Sequence, residues 1–382
     1  MTQVGELSAA TDELAAMVRE LEELVSCESP PGSVPHLNAC ADLLTARGDA
    51  VLGRRARRVV RDGLPHLAWT VPDQEVLLLG HFDTVWPAGT ITDWPFEMTD
   101  GTAVGPGVCD MKSGLVQMFT ALAGLPDPSR VGVLLTSDEE SGSISSRALI
   151  EAEARRSGAV LVLESSTADG DLKIARKGGS AYQVQIHGRA SHAGAAPHLG
   201  VNATVEAANL VLALQALPRT GGTTITPTVL TAGTTSNTVP ASANLSIDVR
   251  AWSRVELDRV DRMIRALVPA LDEARLSVEG GVSRYPLTPE LALPLLEVAQ
   301  VVAREIGMAP PAGSHAPGAS DGNFTAALGI PTLDGLGGVG GHAHAREEYV
   351  EAWLMPQRAA LLGALVERLV AAPFRSLRPI RG

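Results

Sequence analysis

Three apolar runs mark the first half of the chain, Val76 to Leu79, Val131 to Leu135 and Val160 to Leu163, and each leads into polar residues: His81, Asp138 and Glu164. Short unbroken apolar runs with polar ends predict buried parallel strands. Between them, apolar residues recur at helical spacing around Leu115 to Leu122 and Ser145 to Ala154. Strand and helix therefore alternate, as in an α/β domain whose sheet is covered on both faces. Ahead of the first strand, Leu14, Met17, Val18, Leu21, Leu24 and Val25 predict an amphipathic opening helix.

From about Gly179 the period changes. Tyr182, Val184 and Ile186 alternate as in a half-buried strand, and a helix follows over 201–217. Strand-like runs cover 223–231 and 243–251, a second helix covers 255–271, and a closing strand is expected near 276–284. This set predicts a small antiparallel sheet with helices on one face, able to fold as an insertion. After Pro286 the stripe Leu291, Leu295, Val298 and Val302 restores the helix and strand alternation, which continues to the Pro- and Arg-containing tail. The expected organisation is one discontinuous domain, residues 1–178 and 286–382, interrupted by an inserted domain over 179–285; a chain of 382 residues exceeds a single core.

Composition narrows the partners. No window approaches the ~18 continuous apolar residues of a membrane helix, and the first thirty residues lack a basic segment followed by an apolar one. A membrane role and a signal peptide are therefore not expected. The net charge of −12 disfavours nucleic acid, whose backbone needs a basic surface. Cys27, Cys40 and Cys109 are odd in number and scattered, which fits a reducing compartment and predicts a cytoplasmic protein.

Candidate chemistry collects after the predicted strands, where open α/β sheets carry their ligands. His81 and Asp83 alternate onto the same side of extended backbone, so the imidazole can bind a metal while the carboxylate orients it. The bend Gly105 to Gly114 presents Asp110, either towards such a site or as a simple helix cap; its neighbour Cys109 reads as packing. Glu139 and Glu140 sit side by side after a strand, so that one can bind a cation while the other accepts a proton from the attacking water. Glu164 ends a further strand, and His342 and His344 close the glycine-rich stretch Gly335 to His344. Imidazole and carboxylate donors without thiolate suit Zn, Co or Mn, and two His with three carboxylates suffice for two ions sharing one bridging carboxylate.

The runs His81-Phe82-Asp83-Thr84-Val85, Asp110-Met111-Lys112 and Ser137 to Ser143, with Glu164 and with His344 four residues before Glu348, resemble the M20 metallopeptidases, most closely the bacterial glutamate carboxypeptidases. The insertion adds Gly188 to Gly194, Ser236 to Pro240 and Asp248-Val249-Arg250. The resemblance implies a zinc-exopeptidase-like α/β catalytic domain with an inserted α+β, ferredoxin-like dimerisation or lid domain. It implies two Zn²⁺ per chain, with Co²⁺ or Mn²⁺ as alternatives: one on His81, Asp110 and Glu164, the other on Asp110, Glu140 and His344. It favours His344 over His342, makes Glu139 the general base and acid with Asp83 beside it, and places a cis peptide after Asp110. Arg250 is expected to clamp the substrate carboxylate and His192 to stabilise the oxyanion, with Asn237, Gly318 and Lys173 as further substrate contacts. His192 and Asn237 are expected to act across a homodimer. The implied activity is hydrolysis of the amide bond to a C-terminal amino acid in a small peptide, N-acyl amino acid or folate-like substrate. An N-acyl amino acid deacylase or a dipeptidase is the alternative with the same site. A non-catalytic metal- and ligand-binding protein is the alternative of another class, and loss of the base would be its signature; Glu139 is present.

Overall fold

Every residue of the strands Val76–His81 and Val131–Thr136 is buried, which is why their sequences read as unbroken apolar runs instead of alternating. The computed structural model describes residues 2–372, with side chains from Asp12 onward. The tail after Ala372 lies outside the described residues. The chain divides into two units: one runs to Ala175 and takes up again over Pro289–His315 and from Ser320, and the other comprises Arg176–Thr288 with Ala316–Ala319.

The first unit is built on a six-stranded sheet in the order Arg57–Arg61, Leu64–Trp69, Val131–Thr136, Val76–His81, Ala159–Val162, Thr332–Leu333. The last four strands are parallel to one another. The first two form a hairpin that joins antiparallel at one edge, an addition beyond the three parallel strands expected. Its turn is Asp62-Gly63, both at positive φ (49° and 82°), the backbone a two-residue hairpin turn requires.

Successive side chains leave a strand on opposite sides, and here that divides two cores. Val76 and Leu78 pack with Leu21, Leu37, Leu115 and Leu362, under the helices Thr2–Ser26, Val34–Leu52, Ser113–Ala123 and Met355–Ala371. Leu77 and Leu79 pack with Ile150, Ala154 and Phe324, under Arg147–Arg155 and Gly322–Ala327. A separate antiparallel ribbon, in the order Gly340–Gly341, Tyr349–Glu351, Thr102–Val104, Glu97–Thr99, sets the glycine-rich stretch beside the Gly105 turn.

The second unit runs strand, helix, strand, strand, helix, strand: Gly178–His187, Ala203–Ala216, Thr224–Ala232, Ser242–Ala251, Arg254–Arg265, Arg275–Arg284. A short pair, Ser191–His192 with Thr238–Val239, accompanies it. The main strands lie in the antiparallel order Thr224–Ala232, Ser242–Ala251, Gly178–His187, Arg275–Arg284, a ferredoxin-like α+β arrangement. Tyr182, Val184, Ile186, Leu245 and Ile247 bury one face against Leu210, Leu214, Leu257 and Val260 of the two helices. Asn202 caps the first helix by accepting from Thr204 N and Val205 N, and Ser253 caps the second by accepting from Glu256 N, the role such residues fill at helix starts. The second helix ends at Arg265, not at 271 as the periodicity suggests, because Pro269 disfavours helical backbone in the residue before it and offers no N–H itself.

Candidate metal centre

The C-terminal ends of three adjacent parallel strands deliver the key side chains. His81 closes Val76–His81, Glu139 and Glu140 follow Val131–Thr136, and Glu164 follows Ala159–Val162. Asp110 enters from the bend after Thr102–Val104, where its own backbone (φ −115°, ψ 92°) and that of Met111 are non-helical and the Asp110–Met111 peptide is cis. Gly107 is required there: its φ is +72° and an added Cβ would meet Thr84 Cγ2 at 2.3 Å. His344, also at positive φ (67°), enters from the glycine-rich stretch.

Two donor groups result, and they share Asp110. His81 Nε2 lies 3.2 Å from Asp110 Oδ1 and 3.5 Å from Glu164 Oε1. His344 Nε2 lies 3.4 Å from Asp110 Oδ2 and 3.3 Å from Glu140 Oε2. Within each group the ligand atoms all fall within 4.8 Å of one another. Nitrogen and oxygen donors about 2.0–2.1 Å from one tetrahedral zinc ion lie about 3.3–3.4 Å apart, so these separations fit a common ion. Buried His81 Nε2, Asp110 Oδ1 and Glu140 Oε1 make no well-directed hydrogen bond despite these short separations, another mark of donors aimed at a shared point. His342 belongs to neither group, its ring standing 6.0 Å from that of Tyr349.

Electrostatics point the same way. Contacts with Asp110 and Glu140 push His344 up to about 10. Burial pulls His81 down, but Asp110, Asp83 and Glu164 outweigh it and hold the imidazole well above its usual range. Burial likewise raises Asp110, yet His344 and His81 bring it well below the carboxylate range, while burial keeps Glu140 raised. An excess of clustered carboxylate thus favours the charged form of both imidazoles, at positions where cations can take the place of protons.

The remaining first-unit residues frame this cluster. Asp83 is fully buried; its Oδ1 accepts from Glu139 N at 3.2 Å and lies 3.5 Å from His81 Nδ1, and its Oδ2 accepts from Glu140 N at 3.0 Å. The nearest partner of His81 Nδ1 is the Asp83 main-chain carbonyl, at 3.0 Å, so the backbone shares the orienting role expected of the carboxylate. Glu139 is buried and belongs to neither donor group. Asp138 braces the loop by accepting from Ser145 N, Ser145 Oγ and Ser146 N. Lys173 pairs through its backbone with Asp334, and its Nζ reaches Ser165 Oγ at 3.4 Å. Glu348, in sequence only a spacing marker after His344, accepts from the backbone N–H groups of Gly107, Cys109 and Asp110 and from Trp86 Nε1.

The other expected substrate contacts lie in the second unit. Arg250 Nε and Nη2 donate to Asp248 at 2.9–3.1 Å. His192 Nδ1 accepts from Gly194 N and Ala195 N at 3.1 and 3.0 Å, so the proton of the neutral ring sits on Nε2. Ala193 N bonds Asn237 O beside it, and Gly318 O accepts from Arg176 Nη1 at 3.2 Å.

The chain is similar to known proteins along most of its length. Carboxypeptidase G2 of Pseudomonas sp. (strain RS-16) is 33% identical over 380 residues, covering 95% of this chain and 91% of that protein. Succinyl-diaminopimelate desuccinylase of Paracoccus denitrificans (strain Pd 1222) is 31% identical over 381 residues, covering 91% and 97%. Among solved structures, the YXEP protein of Bacillus subtilis, described as a dinuclear metal binding peptidase from the M20 family, superposes with a TM-score of 0.66 at 13% identity, over 94% of this chain and 99% of that one. The model of peptidase family M20/M25/M40 matches residues 77–368. This chain, an enzyme of the peptidase and amidohydrolase type, belongs to that family.

Proposed function

We propose that the protein is a two-zinc carboxypeptidase that hydrolyses the amide bond to a C-terminal amino acid, with glutamate as the preferred residue. The observation that carries this reading is the sharing of Asp110 between two donor groups, with Glu139 beside them and outside both. His81, Asp110 and Glu164 hold one ion and Asp110, Glu140 and His344 the other. When bound, such a pair lowers the pKa of water towards ~7 and polarises the amide carbonyl.

The chain's own residues do the rest. Asp83 fixes the backbone of Glu139 and Glu140 and the ring of His81. Glu139 accepts the proton of the attacking water and returns it to the leaving amine, as a positioned carboxylate can. His192 Nε2–H donates to the developing oxyanion, and its tautomer supports that role. Arg250 offers a planar fork to the substrate carboxylate, with Asp248 holding the guanidinium until substrate exchanges for it. Asn237, Gly318 and Lys173 complete the substrate contacts.

A homodimer through the second unit belongs to the same proposal. The strand Thr224–Ala232 is at the edge of its sheet and exposes Val229 (57%) and Leu230 (46%), and apolar sheet edges invite pairing with another chain. Deacylation of an N-acyl amino acid is the second reading, supported by the likeness to the desuccinylase. A mass-spectrometric screen of the zinc-loaded enzyme against N-acyl amino acids, dipeptides and folate-like glutamates tests both. Release of C-terminal glutamate from free-acid substrates, with amidated counterparts poor, is expected. Equal cleavage of amidated and free-acid substrates contradicts carboxylate recognition.

A further inference from the structure

We propose that Glu348 is a positioning residue that sets the separation of the two metal-binding groups. The inference rests on the two-metal reading above and goes beyond it in naming what holds the groups in register. Its Oε1 accepts from Cys109 N at 2.8 Å and Asp110 N at 3.0 Å, and its Oε2 accepts from Gly107 N and Trp86 Nε1 at 3.1 Å each. An ionised carboxylate has about four acceptor positions, so this one is saturated by neutral N–H donors, and Glu348 is 0% exposed.

The donors come from segments far apart in sequence, and each segment carries part of the site. Trp86 lies three residues after Asp83 and five after His81. Gly107, Cys109 and Asp110 form the turn that presents the shared carboxylate. Glu348 itself is linked back towards His344 by Glu348 N→Ala345 O at 2.9 Å and Ala345 N→His342 O at 3.0 Å. On its other side, Tyr349 pairs with Val104, so strand pairing fixes where the two segments begin and the Glu348 carboxylate fixes where they end. One side chain thereby joins the segments bearing His81, Asp110 and His344, and does so through the Asp110 main chain, leaving both Asp110 oxygens facing the two groups.

A glutamine at 348 would turn an N–H₂ group towards two N–H donors, and the Asp110 turn would have to move. The test uses the full metal-free chain titrated with Co²⁺, read by calorimetry for affinity and by visible absorption for coordination geometry. Wild type is expected to take up two Co²⁺ ions. Glu348→Gln is expected to weaken Co²⁺ binding by about 10–100-fold, the usual consequence of losing a group that orients metal ligands, and to alter the absorption spectrum. Trp86→Phe, which removes one donor, is expected to shift both readings in the same direction by less. Glu347→Gln, at the exposed neighbour, is expected to change neither. A folded Glu348→Gln protein with wild-type Co²⁺ affinity and spectrum overturns the proposal, even if its melting temperature falls. If that variant does not fold, Glu348→Asp, which keeps the charge and shortens the reach, decides by the same two readings. Failure of the wild type itself to bind two ions contradicts the metal reading instead, and so is distinguishable.

Discussion

Glu139 and Glu140 are neighbours in the chain with different surroundings: Glu140 faces His344 across 3.3 Å, while Glu139 stands outside both donor groups. Glu139→Gln is therefore expected to keep its metal and lose about 10²–10⁴-fold in turnover, because an amide cannot accept the water proton. Glu140→Gln is expected to lose metal. Elemental analysis beside kcat checks both, and equal metal loss in the two variants means the roles are assigned wrongly. Arg250→Lys keeps the charge but not the fork, so activity on free-acid substrates should fall strongly at unchanged metal content. The residues that gather in the two donor groups could be picked out locally because each follows an apolar strand or a glycine-rich stretch. The choice of His344 over His342, and of a ligand over a helix cap for Asp110, came from the family resemblance. Glu348 was legible only as a spacing, since its importance lies in hydrogen bonds reaching back as far as 262 residues to Trp86, and no local pattern encodes those.

Elements differed in the same way. The three apolar runs and the alternation of Tyr182, Val184 and Ile186 identified strands because burial on two faces or one leaves a direct imprint on sequence. The hairpin Arg57–Trp69 carries a weaker imprint, for Arg57–Arg61 buries only Val59; Asp62-Gly63 was its available signal. The helix after Ser253 looked too long because apolar periodicity continues past Arg265 through Leu267 and Leu271, whereas Pro269 forbids the backbone. The edge strand Thr224–Ala232 yields a prediction of its own. A charge at an exposed apolar edge discourages strand pairing between chains, so Val229→Lys should convert a dimer into a monomer in analytical ultracentrifugation while leaving the protein folded. A variant that sediments as a wild-type dimer contradicts the assignment of that edge.

Across the molecule, the candidate metal centre is expected to couple stability to pH. In the metal-free protein His344 is held up to about 10 by Asp110 and Glu140, and His81 is raised in the same direction by its carboxylate neighbours against the effect of burial. Groups with raised folded-state pKa values add stability that is fully present below the unfolded value of about 6.5 and is lost as pH rises through the folded value. Chelated protein should therefore melt at progressively lower temperature from neutral pH towards about 10. Binding metal should release protons, visible as a buffer-dependent enthalpy in calorimetry. A chelated protein whose melting temperature rises over that window contradicts the coupling. The most direct test of the whole account is metal content measured alongside turnover during chelation and re-addition. The account predicts close to two transition-metal ions per chain, activity lost as they are removed and restored as they return; a fully active preparation containing no transition metal would contradict it.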